Sequence, residues 1–328
     1  MKAAWFEAFG PAADVLQVGD QPRPEAGPGE VLVRLHTSGV NPSDVKKRAG
    51  AFPNLLDEGL IIPHSDGAGV IEAVGEGVNP SRVGERVFVY QAQYGRRLGT
   101  AAAYVALDAL RAPALPDEAS FAVGAVIGIP IMTAHRCVFA DGEVSGQTLL
   151  ITGGAGRVGD YAIQWASRAG AWVIATASNP EDEKRCRAMG AREVVNHREP
   201  GWGDQVLELT SGDPVDRVID VEFGANLPEV LKCIRIGGTI ATYSSTVVPE
   251  PCLPFRDMMF MDLTVRLVIV YAMPEEAKAA AVADTQEALR QGALDHRIAH
   301  EVPLDDIARS HELIENGGFG GCVVLTVD

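Results

Sequence analysis

The stretch LLITGGAGRVGDYAIQWA (149–166) decides the fold. A short apolar run of β-type residues ends at Thr152, a glycine-rich turn follows, and a helical pattern opens at Arg157. Gly154, Gly156 and Gly159 form G-x-G-x-x-G directly between strand and helix, the context in which that pattern carries meaning. The first glycine permits the tight turn, the second lets the main chain approach a diphosphate, and the third lets helix and strand pack closely. The free N–H groups and partial positive charge of the helix N-terminus favour phosphate. Gly154, Ala155, Gly156, Arg157, Val158 and Gly159 are therefore the expected diphosphate turn of a dinucleotide site.

Outward from this turn the pattern repeats. QTLLIT (147–152), AWVIATA (171–177), REVVN (192–196), VDRVIDV (215–221), GGTIATY (237–243) and TVRLVIVY (264–271) read as strands. Helices are expected between them over 157–169, 181–189, 203–209 and 227–233. Such alternation implies a parallel, doubly wound α/β sheet. Residues 1–115 differ. VLVRLHTSGV (31–40), GAGVIEAVG (67–75) and ERVFVY (85–90) are short strands between Gly and Pro turns, and QPRPEAGPGE (21–30) is a loop. Two helices (274–292 and 304–317) and a strand (323–327) close the chain, with no internal repeat.

At 328 residues the chain has room for two cores, at about 150 residues per domain. Its net charge of −16 disfavours nucleic acid and anionic membranes as partners. Cys137, Cys186, Cys233, Cys252 and Cys322 are scattered and form no C-x-x-C pair, which argues against a disulfide framework or a thiolate metal cluster. MKAAWFEAFG at the start is no signal peptide, and the apolar stretch 122–134 is too short to span a bilayer. A reduced, cytoplasmic setting is expected.

The second strand of the glycine-turn half ends Thr176-Ala177-Ser178-Asn179. Dinucleotide sites that prefer NAD place a carboxylate there to hold the ribose 2′-OH. Here Ser178 and Asn179 offer neutral hydrogen bonds, and Lys184, Arg185 and Arg187 follow, groups suited to a 2′-phosphate. Glu181, Asp182 and Glu183 stand among them and weaken the argument. NADPH is the expected cofactor.

VNPSDVKKRAG (40–50), DGAGVIEAVGEGV (66–78), GERVFV (84–89), AVIGIPIMTAHR (125–136), GGAGRVG (153–159) and REVVNHRE (192–199) occur in this order. Together they closely resemble the zinc-independent medium-chain dehydrogenase/reductases of the quinone oxidoreductase (zeta-crystallin) type, over essentially the whole chain. The resemblance implies a GroES-like β-rich catalytic domain from both chain ends (1–118 and 268–328) and an inserted Rossmann domain (119–267), with the cofactor in the cleft between them. It also implies a homodimer or homotetramer, with 264–271 as the candidate edge strand. Zinc-dependent relatives carry Cys near Asn41 and a His-Glu pair near Ser65-Asp66. This chain has no cysteine before Cys137, so no metal is expected, and His64 reads as a loop residue.

The reaction implied is hydride transfer from NADPH to a quinone or another small, apolar, conjugated carbonyl. The alternatives are an enoyl-thioester or alkenal/enone reductase, or a non-catalytic NADPH-binding protein. By resemblance, Asn41 donates to the acceptor oxygen and Thr133 lies near the nicotinamide. His197 packs on the adenine. Val221, Tyr243 and Ser245 line the cofactor, and Val270 and Tyr271 lie beside the carboxamide. Lys46 and Phe52 replace two tyrosines that face the acceptor in the family. Lys46 either stabilises a developing oxyanion or extends to solvent, as its neighbours Lys47 and Arg48 suggest. Phe52 points to an apolar acceptor.

Overall fold

The computed structural model describes residues 1–327, which form two compact units: 1–129 with 282–327, and 130–281. The dividing points lie beyond the expected 118 and 268. The short helix Phe121–Gly124 packs on the strands Glu30–Val40, Asp66–Val74 and Arg86–Val89, so it stays with the first unit. The turn Val270–Ala272 is tied to the following helix through Lys278 Nζ, which donates to the Tyr271 carbonyl at 3.4 Å, so it stays with the second.

The second unit is built on six strands, all paired in parallel. Their spatial order is Thr264–Leu267, Ile234–Thr242, Val215–Asp220, Thr148–Ile151, Trp172–Ala177 and Glu193–Asn196. This is the doubly wound order whose direction of growth reverses between Thr148–Ile151 and Val215–Asp220, where ligands characteristically bind. Thr148–Ile151 and its neighbour Trp172–Ala177 are nearly continuous apolar runs, as expected where helices cover both faces. Trp202, Val206, Phe223, Leu227 and Val230 cover Leu150, Ile174, Val218 and Ile240 on one side.

The first unit is a mainly antiparallel sheet with order Ile298–Pro303, Cys322–Thr326, Glu30–Val40, Asp66–Val74 and Arg86–Val89, with Tyr104–Asp108 also paired to Glu30–Val40. The last strand of the chain, Cys322–Thr326, pairs with residues 37–40 of the long second-half of Glu30–Val40, which joins the two chain ends in one sheet. A two-stranded hairpin (Lys2–Trp5 with Gln17–Asp20) lies beside it.

Two expectations change. The strand expected over 264–271 stops at Leu267, and Val270–Ala272 is a 3₁₀ turn. The segment after Asn41 is a helix, Pro42–Arg48, that its short length hid. No helix among the described residues is long and apolar enough to cross a membrane.

Candidate functional site

In the second unit the glycine turn is held by backbone contact. Gly153 adopts φ 60°, where a side chain is strained. A Cβ on Gly159 would stand 2.2 Å from the Gly153 carbonyl oxygen, so the helix Arg157–Arg168 approaches the turn at a distance that only glycine allows. A Cβ on Gly154 would meet Ala175 Cβ and Cys186 Sγ at 2.8 Å. Gly156 is the N-cap, and no side chain caps this helix, which leaves its N-terminal dipole facing outward. Gly153 N donates to Thr176 Oγ1 at 2.9 Å and Gly154 N to the Thr176 carbonyl at 2.9 Å, which lashes the turn to the neighbouring strand.

Beside the turn, the Thr152 hydroxyl donates to Asp220 Oδ1 at 2.7 Å and accepts from Val221 N at 3.0 Å. Val221 thus sits directly against Gly153. Burial raises the Asp220 carboxyl, and hydrogen bonds from Asn226 and Thr152 oppose the shift. Tyr243 and Ser245 follow the next strand and line one cavity of about 590 Å³ with Phe223, Thr242 and Val268. Ser245 Oγ accepts from Gly224 N at 3.0 Å, so part of its hydrogen bonding is structural. Val270 is buried, Tyr271 is half-buried, and Thr133 is buried in the helix Ile129–Phe139.

The groups expected around a 2′-phosphate separate on inspection. Asn179 is the N-cap of Pro180–Met189, its Oδ1 accepting from Asp182 N at 2.9 Å. Arg185 is committed to Asp160 through Nε at 2.6 Å and Nη2 at 3.0 Å, a bidentate pair that the sequence did not announce. Arg187 pairs with Glu183 and Glu193. Lys184 is exposed and makes no ion pair among the described residues. Ser178, just past the end of the preceding strand, is half-buried. His197, half-buried, has a buried Nδ1 without a partner, and burial lowers its pKa so that the ring is neutral.

The first unit holds a second polar constellation, buried in its core. Asn41 caps the helix Pro42–Arg48, with Pro42 at the first helical position and its own N–H donating to Asp44 Oδ2 at 2.9 Å. Its side-chain Nδ2 donates to Asp66 Oδ2 at 2.9 Å, and Ile129 N donates to the same oxygen at 2.8 Å. Lys47 Nζ is buried and donates to Gln93 Oε1 at 2.6 Å. Burial pushes the Asp66 carboxyl up to about 7, against hydrogen bonds from Ile129 and Asn41. Burial likewise pushes Asp44 up to about 6, against the charge of Lys47. Burial lowers the Lys47 ammonium, which both carboxylates support.

His64 is fully buried at φ 75° and shares a hydrogen bond with His311, Nε2 to Nε2, at 3.0 Å. The direction of that bond follows from its neighbours. Thr100 Oγ1 donates to the Asp66 carbonyl, so it accepts from Ser38 Oγ, which accepts from His64 Nδ1–H. His64 Nε2 is then the acceptor and His311 Nε2 the donor. Burial lowers both rings, His311 to about 3, so the pair is neutral.

Residues 158–286 match the family model of zinc-binding dehydrogenases, and residues 27–117 match that of the alcohol dehydrogenase GroES-like domain. The quinone oxidoreductase of Rattus norvegicus is 31% identical over 98% of this chain and 95% of its own length. A mycobacterial protein solved in complex with NADPH aligns with TM-score 0.87 at 29% identity, covering 100% of both chains. A NAD-dependent alcohol dehydrogenase aligns with TM-score 0.85 at 30% identity, again over 100% of both chains. The chain belongs to the medium-chain dehydrogenase/reductase family, in its quinone oxidoreductase branch.

For a member of this family the metal question is local. Among the described residues no group of three His, Cys, Asp or Glu stands close enough to hold a metal ion. Asn41 binds Asp66 through its amide, and both His64 nitrogens are engaged by Ser38 and His311. These residues do not fit zinc, which needs several thiolate, imidazole or carboxylate ligands converging on one point. His64, expected as a loop residue, is in a loop but fully buried.

The lysine expectation needs correction. Lys46 is exposed, whereas Lys47 and Arg48, read as surface neighbours, are buried at 7% and 1% exposure. Helical spacing from the Asn41-Pro42 cap puts Asp44, Lys47 and Arg48 on one face and Lys46 on another, a signal present once the helix is recognised. Phe52 is also exposed, at the start of the 3₁₀ turn Pro53–Leu56.

Gly159→Ala is expected to force the helix off the Gly153 carbonyl and cost about 1–3 kcal/mol. Thermal unfolding of the variant checks this, and an unchanged Tm would show that the turn has slack.

Proposed function

We propose that this chain is an NADPH-dependent reductase that transfers a hydride to a quinone or other conjugated carbonyl without a metal. The observation that carries the reading is the uncapped helix N-terminus at Gly156, behind a turn with no room for a side chain at Gly159. A diphosphate suits that place because the glycines bring main-chain N–H groups to it without intervening side chains of their own. Bound there, NADPH supplies a hydride from its reduced nicotinamide ring.

The chain's own residues do the rest. Gly154 to Gly159 seat the diphosphate, and Val221 closes the turn from the adjacent strand. Lys184 offers a charge to the 2′-phosphate, with Ser178 as a neutral partner, while Arg185 is held back by Asp160. Asn179 spends its side chain on the helix cap and contributes at most through its position. His197, neutral, offers a flat face to the adenine. Thr133, Tyr243, Ser245, Val270 and Tyr271 line the nicotinamide end. Asn41 commits one amide hydrogen to Asp66 and has a second for the acceptor oxygen. Holding reactants in register is the main catalytic contribution.

The exposure of Lys46 and Phe52, where the family resemblance expects tyrosines, favours enals and enones alongside quinones as acceptors. NADPH oxidation against a panel of quinones, enals and enones is the test. Turnover of at least one class is expected, and none at all overturns the reading. Lys184→Ala should raise the KM for NADPH about tenfold, equivalent to about 1.4 kcal/mol, and leave that for NADH nearly unchanged. Equal effects on the two would remove Lys184 from the phosphate site.

The chain is also proposed to form a homodimer through the open edge of the parallel sheet. Leu267 and Ile269 are 76% and 56% exposed there, and Phe255 and Phe260 are 73% and 68% exposed on the helix Phe255–Phe260. An apolar edge strand of this kind is an association surface unless something covers it. Leu267→Asp should give the monomer mass by light scattering where the parent chain gives the dimer mass. A parent chain that is itself monomeric refutes the interface.

A further inference from the structure

The core of the first unit contains more ionisable groups than its hydrogen bonds account for. Asp66 and Asp44 are 0% and 1% exposed, and each keeps one carboxyl oxygen, Oδ1, with no hydrogen-bond partner. The Asp66 carboxyl is wedged against the main chain, since a Cβ on Gly128 would stand 2.2 Å from its Oδ1. Both carboxyls are tied to one residue, Asn41: Asp66 through the side-chain amide and Asp44 through the backbone N–H, each at 2.9 Å. Lys47 is buried on the same helix face and acts electrostatically on both.

The remaining charges around them cancel. Arg48 is matched by Glu315, and the rings of His64 and His311 are neutral. The balance therefore rests with two carboxyls and one ammonium. Fully ionised, the trio carries a net −1 inside the core, which low polarity opposes. Holding one proton makes it neutral, and that proton belongs to the pair of carboxyls rather than to either alone.

We propose that Asp44, Lys47 and Asp66 form a buried charge gate behind Asn41, open to acceptor reduction when the trio holds its extra proton and closed when it does not. The inference rests on the proposed reading that Asn41 holds the acceptor oxygen. Hydride delivery places negative charge on that oxygen. With the trio neutral, Asn41 donates into that charge without opposition. With the trio at −1, a like charge stands one hydrogen bond behind Asn41 and raises the barrier. Asp66, Asp44 and Lys47 are positioning residues, acting through Asn41. Proton loss closes the gate, so activity falls as pH rises.

Two measurements test this. Infrared spectroscopy of the nucleotide-free protein should show a protonated carboxyl band that disappears between about pH 6 and pH 8. Asp66→Asn should remove it. Single-turnover NADPH oxidation by an accepted enone or quinone should slow about tenfold or more above that transition. Asp66→Asn should abolish the slowing. Lys47→Met, which removes the charge that lowers both carboxyls, should move it to higher pH, and Lys47→Arg should leave it near its original place. A purely structural role for Lys47 would move stability and not this midpoint. If Asp66→Asn unfolds, the Lys47→Met shift decides the matter. An absent carboxyl band, or a pH limb unmoved in Lys47→Met, overturns the gate. A titrating band with no turnover on any acceptor instead overturns the reductase reading, and the gate falls with it.

Discussion

The contact between the Gly159 backbone and the Gly153 carbonyl sets the geometry of the second unit. Because no side chain intervenes, the helix Arg157–Arg168 starts directly over the end of the first parallel strand and presents its N-terminus where the sheet's growth reverses. Thr152 and Asp220 then bond across the reversal point, and Thr176 holds the turn from the other side. The main-chain groups of the turn are fixed by strands on both flanks, so the turn is as rigid as the sheet. The same packing sorts the cations that follow the strand Trp172–Ala177. Asp160, in the first turn of that helix, captures Arg185 and leaves Lys184 exposed, with no ion pair among the described residues.

The first unit solves a different problem. It anchors the amide of Asn41 on a buried carboxylate. Asp66 orients that amide and also accepts from Ile129 N at the start of the next helix, so its position is determined twice over. The cost is a core with ionisable groups, kept tolerable by pairing, neutral histidines and two raised carboxyls.

Much of this was readable in the residues. The alternation of strand and helix from 147 onward reports burial on both faces, and five of the six parallel strands lie within a few residues of where pattern places them. The sixth fails at its end because Val268 to Tyr271 are apolar for reasons of edge exposure and turn packing, which periodicity does not distinguish from a strand. The glycine turn was legible because its constraint is local, Gly153 and Gly159 meeting within one short stretch of chain. Arg185 was not excluded in advance because Asp160 is 25 residues away in sequence and only the crossing of two helices brings them together. Lys47 was missed because the seven-residue helix Pro42–Arg48 is too short to show a period, and three consecutive cations look like surface.

The pairing of Cys322–Thr326 with residues 37–40 also governs the order in which the molecule can be made. Residues 130–281 are contiguous, so this unit has all its strands once it clears the ribosome. The flanking unit lacks the partner of residues 37–40 of its longest strand until residues 322–326 are translated, and residues 1–129 wait with that part of the strand open while Tyr104–Asp108 already pairs with residues 30–34. Nascent chains of this protein are thus exposed to mispairing along residues 37–40 for most of their synthesis, and loss of residues 322–326 would leave that hazard permanent.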